Sequence, residues 1–237
     1  MCGRYVSPNQ AALERAWQIG RQNSNPFVRR FNVQPTTPVP FLRVDSESGE
    51  LELVTGRWGM IPHWWKNEKM PNLTFNARVE EAASKPMWRD AMRHSRCLIP
   101  AEGWYEWQDR ALPATGTRRA KTYRQPFFIH RRDGAPVAFA GLMSIWRQPS
   151  AGDEVLSCAI LTMAAGGVPA QVHDRMPLVL PPAAQKAWLD PALKVGGQAA
   201  QLGQASVDVE EIEYYPVSTA VNSGRAEGAG LIDRIDL

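Results

Sequence analysis

Hydrophobic residues along this chain are gathered into short runs with turn residues between them. The runs include RCLIPAEGWYEW (96–107), QPFFIH (125–130), PVAFAGLMSIW (136–146), VLSCAILTM (155–163) and PLVL (177–180). Short apolar segments separated by turn residues read as strands. RFNVQPTTPVPFLRV (30–44) passes through a Pro-rich turn into another strand, ELELVTGRWGM (50–60) has strand character, and EIEYYPVS (211–218) is a late strand. Helical patterning is sparse. SPNQAALERAWQIG (7–20) reads as a helix with Ser7 as cap, Pro8 in the first helical position, Gln10 at the capping-box position and Gly20 as its stop. A helix starting near Pro86 lies within 79–94, and PPAAQKAWL (181–189) is a third. Many short strands with few helices predict a β-rich α+β fold, not βαβ repeats. The polar, basic segment 109–124 reads as an exposed loop and 194–206 as a loose connection. No repeat or domain boundary is visible, so 1–237 is read as one domain.

The chain has 237 residues, 44% of them hydrophobic. No apolar run approaches the roughly 20 residues of a membrane span, and no secretion signal is visible. The three cysteines, Cys2, Cys97 and Cys158, are odd in number and lack CxxC spacing. That disfavours a disulfide framework or zinc site and suits a reducing cytoplasm. His63, His94, His130 and His173 are scattered, with no HExxH, so no metal is expected. Net charge is only +3, but residues 1–134 hold 21 basic against 13 acidic side chains, and residues 135–237 hold 6 against 11. A basic first half suits a polyanion such as nucleic acid, and solvated surface arginines explain the charge equally well.

Four short stretches carry candidate chemistry. In GWYEW (103–107), strand alternation would place Trp104 and Glu106 on one face and Tyr105 and Trp107 on the other. A carboxyl beside apolar rings has a raised pKa and can shuttle protons, whereas a half-exposed glutamate paired with an arginine is the plain alternative. FNARVE (75–80) sets Asn76 and Arg78 two apart, suited to a sugar-phosphate or to a buried hydrogen-bond network. His173 precedes the apolar PLVL strand and can move a proton near neutral pH, or serve only as a cap. HWW (63–65) puts Trp64 and Trp65 on a Pro-led turn, as stacking platforms or as core residues.

The chain opens MCGRY. A small second residue permits removal of Met1, which would leave an α-amine and a thiol on adjacent carbons of Cys2. The unperturbed amine has a pKa of roughly 7.7–8.0 and the thiol about 8.5, so both have usable nucleophilic fractions near neutrality. That aminothiol suits an aldehyde: the amine forms a Schiff base and the thiol closes a thiazolidine. A cysteine filling a gap in a core is the alternative.

In order along the chain, MCGR, FNVQP, RWGMIPHWW, FNARVE, RCLIPAEGWYEW, HDRMPLVL and PVSTAVN (216–222) strongly resemble the SOS-response-associated peptidase (SRAP) family, over residues 2 to about 222. The resemblance implies a β-rich core with a barrel-like antiparallel sheet and flanking helices. It implies shielding of abasic sites in single-stranded DNA, with Cys2 capturing the deoxyribose aldehyde. It further implies that Asn76 orients the terminal amine or sugar, Glu106 assists ring opening and His173 handles proton transfer. Arg4 and Arg78 would contact phosphates, and Trp64 or Trp65 would stack at the break in the strand. Accompanying lyase and leader-removing peptidase activities, no cofactor, a monomeric state and a cytoplasmic, nucleoid-associated location complete the expectation. Two competing readings are a peptidase with Cys2 as nucleophile and a non-covalent single-strand-binding module. The sequence departs from the family pattern in the long loop after Trp107 and in AAGG (164–167), which replaces a more polar segment.

Overall fold

In the computed structural model, residues 2–19, 28–111, 122–192 and 209–237 are described. Five strands form the centre: β2 (Pro38–Val44), β3 (Leu51–Trp58), β5 (Arg96–Ala101), β8 (Val137–Arg147) and β9 (Glu154–Ala164). They run in the order β9-β3-β2-β5-β8, and β8 pairs back onto β9, closing a barrel. Closure removes the open edges that would otherwise invite pairing with other chains. Gly141 on β8 leaves room for the β5 side chains, since a Cβ there would lie 2.5 Å from Ile99 Cδ1 and 2.7 Å from Cys97 Sγ. β4 (Asn76–Arg78) and β10 (Arg175–Pro177) join β9, and β11 (Val179–Leu180) joins β8.

The expectation of an antiparallel barrel holds for most pairs but not for all. β3 and β4 both lie parallel to β9, with Trp58 opposite Cys158 and Ala77 opposite Leu161. Parallel neighbours need long connections, and here residues 79–153 intervene between β4 and β9.

A second sheet has the order β1-β6-β7-β12, formed by β1 (Tyr5–Val6), β6 (Gly103–Ala111), β7 (Thr122–Arg131) and β12 (Ile212–Pro216). Its inner face and the barrel share the main core, which contains Cys2, Tyr5, Trp58, Trp104, Phe139 and Ile160. Its outer face carries Tyr105 and Phe128, covered by Val217, Val221 and Leu231 of the C-terminal stretch. The alternation expected for GWYEW is therefore realised, with Trp104 inward and Tyr105 outward. A third apolar cluster, containing Leu98, Met92 and Trp188, lies beneath the helices.

The helices α1 (Gln10–Trp17), α2 (Val79–Ala82), α3 (Arg89–His94) and α4 (Pro182–Leu189) flank these sheets. Asn9, not Ser7, caps α1, its side chain accepting the Ala12 amide at 2.8 Å. Ser7 is buried instead, and its hydroxyl accepts the Arg30 amide at 2.8 Å. Gln10 donates to Glu14 within the helix, not to the cap. The helix stops at Gln18 in the left-handed region (φ 51°), and Gly20 lies outside the described residues. The 79–94 segment holds two short helices, α2 preceding the one expected. The segment expected to be a loop at 109–124 is strand at both ends, because β6 and β7 continue pairing as far as Ala111 with Thr122. Residues 112–121 and the 194–206 connection lie outside the described residues. Among the described residues no helix is long and apolar enough to cross a membrane.

Candidate active site

Four sequence-distant elements converge at one end of the main core. Cys2 enters just ahead of β1, which pairs with β6 through Tyr5 and Trp104. Two residues beyond Trp104, Glu106 points to the same face. It is only 2% exposed. β4 delivers Asn76, whose Nδ2 donates to the Cys2 carbonyl at 2.7 Å. The turn before β10 delivers His173, whose Nε2 lies 4.0 Å from Glu106 Oε2. That is too long for a hydrogen bond, a looseness common in unliganded sites that tighten around substrate.

The electrostatics follow from burial. Loss of solvation pushes the Glu106 carboxyl up to about 7, so both protonation states are populated near neutrality. Burial pushes the Cys2 thiol well above its ordinary value, and the nearby Glu106 charge pushes it further. The thiol is therefore held protonated and needs a base to act. Burial draws His173 below its usual value, favouring the neutral ring. His173 Nδ1 accepts the Arg175 amide at 2.9 Å, which leaves the proton of the neutral ring on Nε2, facing Glu106. The exposed Asp174 carboxylate also lies 2.8 Å from Nδ1. It pairs only with a ring protonated there, so it and the amide serve alternate states of the imidazole.

A cleft of about 520 Å³ opens on Glu106, lined by Gly3, Arg4, Trp107, Arg124 and Asn222 as well. Trp107 Nε1 donates to Asn222 Oδ1 at 2.6 Å, and the Arg124 guanidinium stands 5.6 Å from the Trp107 ring centroid. Two guanidinium groups at its wall suit an anionic ligand. A larger cleft of about 870 Å³ lies between α1 and α4, lined by Trp17, Leu51 and Leu98 among others, and shares no lining residue with the first.

The structure thus brings together Cys2, Asn76, Glu106 and His173. Arg4 reaches the cleft wall, but its guanidinium is tied to Asn32 Oδ1 at 2.7 Å and to the Val221 carbonyl at 3.1 Å. Arg78 shares the Asn76 face of β4 and is exposed beside Glu81. Trp64 and Trp65 stand on the β3–β4 loop with centroids 6.1 Å apart, and neither lines the Glu106 cleft. Trp64 is exposed, whereas Trp65 is half-buried and anchored, its carbonyl accepting Trp146 Nε1 at 2.6 Å. Trp107, Arg124 and Asn222 were not singled out by sequence reasoning. Asn222 closes the PVSTAVN motif, the one signal that pointed to it. Among the described residues no group of three or more His, Cys, Asp or Glu could hold a metal.

Residues 1–224 match the family described as SOS response associated peptidase (SRAP). The chain belongs to the SRAP family. It is 34% identical over 209 residues to the abasic site processing protein YedK of Escherichia coli, covering 88% of this chain and 86% of that one. It is 33% identical over 203 residues to the abasic site processing protein YoqW of Bacillus subtilis, covering 86% of this chain and 85% of that one. The vertebrate relative HMCES of Xenopus tropicalis, also named an abasic site processing protein, is 28% identical over 266 residues, covering 95% and 76%. A solved structure from Bacteroides thetaiotaomicron superposes with a TM-score of 0.78 at 22% identity, covering 99% of this chain and all of that one, and so shares its fold.

Proposed function

We propose that this protein acts on abasic sites in DNA and captures them in single strands as a covalent thiazolidine at Cys2. The observation that carries the reading is the meeting of Cys2, Asn76, Glu106 and His173 beside an arginine-walled cleft. The names of the SRAP relatives support the abasic substrate. With Met1 removed, the Cys2 amine adds to the deoxyribose aldehyde and water leaves, giving a Schiff base. The thiol then adds to the C=N carbon and its proton passes to nitrogen. The net reaction is aminothiol plus aldehyde to thiazolidine plus one water.

Each of these groups has a part. Glu106 in its protonated form donates to the ring oxygen as the closed sugar opens, and its ionised form then accepts the thiol proton. His173 Nε2–H passes protons to and from the departing water. Asn76 Nδ2 holds the Cys2 carbonyl, while its Oδ1, buried and without a hydrogen-bond partner among the described residues, is free to accept from the Cys2 amine. The reading extends to a single SRAP domain over 1–237, acting as a cytoplasmic monomer that joins the nucleoid when bound. Strand-cleaving lyase activity at the same Schiff base and removal of the leader by the same residues are subsidiary proposals. The test is a denaturing gel after incubation with abasic single-stranded DNA. A heat-stable shifted band supports capture, a cleaved peptide without a shifted band supports a peptidase, and neither leaves a binding module.

A further inference from the structure

Leu73 sits where neither the folded core nor the solvent explains it. It is 83% exposed, and its backbone is in the left-handed region at φ 57°. There the Cβ of an L residue crowds the following carbonyl, so glycine or asparagine would be the easier choice. An unrelieved backbone outlier of this kind points to function when its surroundings enforce it. They do so here. Thr74 is buried, and its carbonyl accepts the Met60 amide at 2.9 Å. The Phe75 carbonyl accepts both the Ile160 amide at 2.9 Å and Trp58 Nε1 at 2.8 Å. The chain is therefore pinned from Thr74 into β4, and the leucine is presented outward on a fixed stem.

Its position relates it to the site. Leu73 precedes Asn76 by three residues, so the two Cα atoms are at most about 10 Å apart. The same β3–β4 loop carries Trp64, another large apolar side chain exposed on this protein. The loop also presents Lys66 and Lys69, exposed, and β4 continues to exposed Arg78. The single acid of the loop, Glu68, is engaged by Gln148 Nε2 and the Ser150 amide. An apolar side chain on a cationic edge fits a polyanion that carries apolar faces, which describes a single strand of nucleic acid.

We propose that Leu73 is an apolar cap for the base flanking the abasic gap. In an intact strand that base face is covered by its neighbour. Where the neighbour is missing the face meets water, and Leu73 covers it. The residue thereby sets preference for damage over intact strand, separately from the chemistry at Cys2. This rests on the single-strand reading above.

The experiment compares Leu73→Asn and Leu73→Met with the unaltered protein. Fluorescence anisotropy measures binding to a single strand holding a central tetrahydrofuran, an abasic analogue with no aldehyde, and to the same strand intact. Melting temperature is recorded in parallel. Leu73→Asn is expected to lower the preference for the analogue over the intact strand about fivefold, with a melting temperature held or raised, because asparagine tolerates φ above zero. Leu73→Met is expected to keep the preference. An unchanged preference in Leu73→Asn overturns the proposal. So does a loss accompanied by an equal fall in melting temperature in both variants, which would make Leu73 a structural residue. If the unaltered protein does not bind the analogue, the single-strand reading fails and this inference with it, whereas binding that ignores residue 73 removes this inference alone.

Discussion

Replacing Glu106 by glutamine should make the protein more stable at alkaline pH and far slower at capture. The Glu106 carboxyl has a reference value of 4.5 and is pushed by burial to about 7 in the folded chain. A raised carboxyl pKa means that the folded state prefers the proton. Its stability contribution is therefore complete below about 4.5 and is lost as pH rises toward and through 7. The gap of roughly 2.5 in pKa, at about 1.36 kcal/mol each, means that ionised Glu106 costs the fold about 3 kcal/mol at pH 8. Glu106→Gln removes that charge at similar volume, and imperfect pairing of the new amide takes back about 1 kcal/mol. The net gain of about 2 kcal/mol corresponds to a melting temperature raised by roughly 4–8 °C for a chain of this size. At pH 4.5 the gain should vanish. The same substitution removes a positioned acid and base, a loss of about 10²–10⁴ in rate. Calorimetry at pH 4.5 and 8, with a denaturing-gel time course at saturating abasic DNA, measures both. A variant that is destabilised at pH 8 and captures at the normal rate would refute the reasoning, since Glu106 would then be a structural anion.

The two arginines expected to touch phosphates should separate. Arg78→Ala, on an exposed side chain, should leave melting unchanged and flatten the log–log salt dependence of single-strand affinity by about 0.7. Arg4→Ala should instead destabilise the fold by about 1–3 kcal/mol, because it strands the buried Asn32 oxygen. Cys2→Ala should abolish the heat-stable adduct while leaving binding to an intact single strand within about twofold of normal, as read by anisotropy. Protein blocked by an extra residue ahead of Cys2 should likewise give no durable adduct, since an amide nitrogen forms no Schiff base; equal yields from blocked and free termini would redirect the search to a lysine.

Strand alternation in GWYEW was legible directly: a period of two requires Trp104 and Glu106 to share a face, and they do. The β-rich class followed from the same short apolar runs, because few lengths of chain could form a helical face. Cap chemistry was less legible. Ser7 and Asn9 are both competent caps, and burial of Ser7 against Arg30 decided between them. Pairing order was not legible at all. The parallel contacts of β3 and β4 with β9 join residues about 80–100 positions apart, and nothing local encodes them. The site lies between these limits. Its residue types and their order marked Cys2, Asn76, Glu106 and His173 as candidates, and resemblance to the SRAP family assigned their roles. Only the closed barrel and the sheet beside it put buried Cys2 and Glu106 next to half-buried His173. Desolvation there moves their proton affinities, and a pKa is a property of surroundings assembled from the whole chain. Trp107, Arg124 and Asn222 were not marked as site residues for the same reason: each takes its place beside Glu106 from the neighbours that tertiary structure supplies.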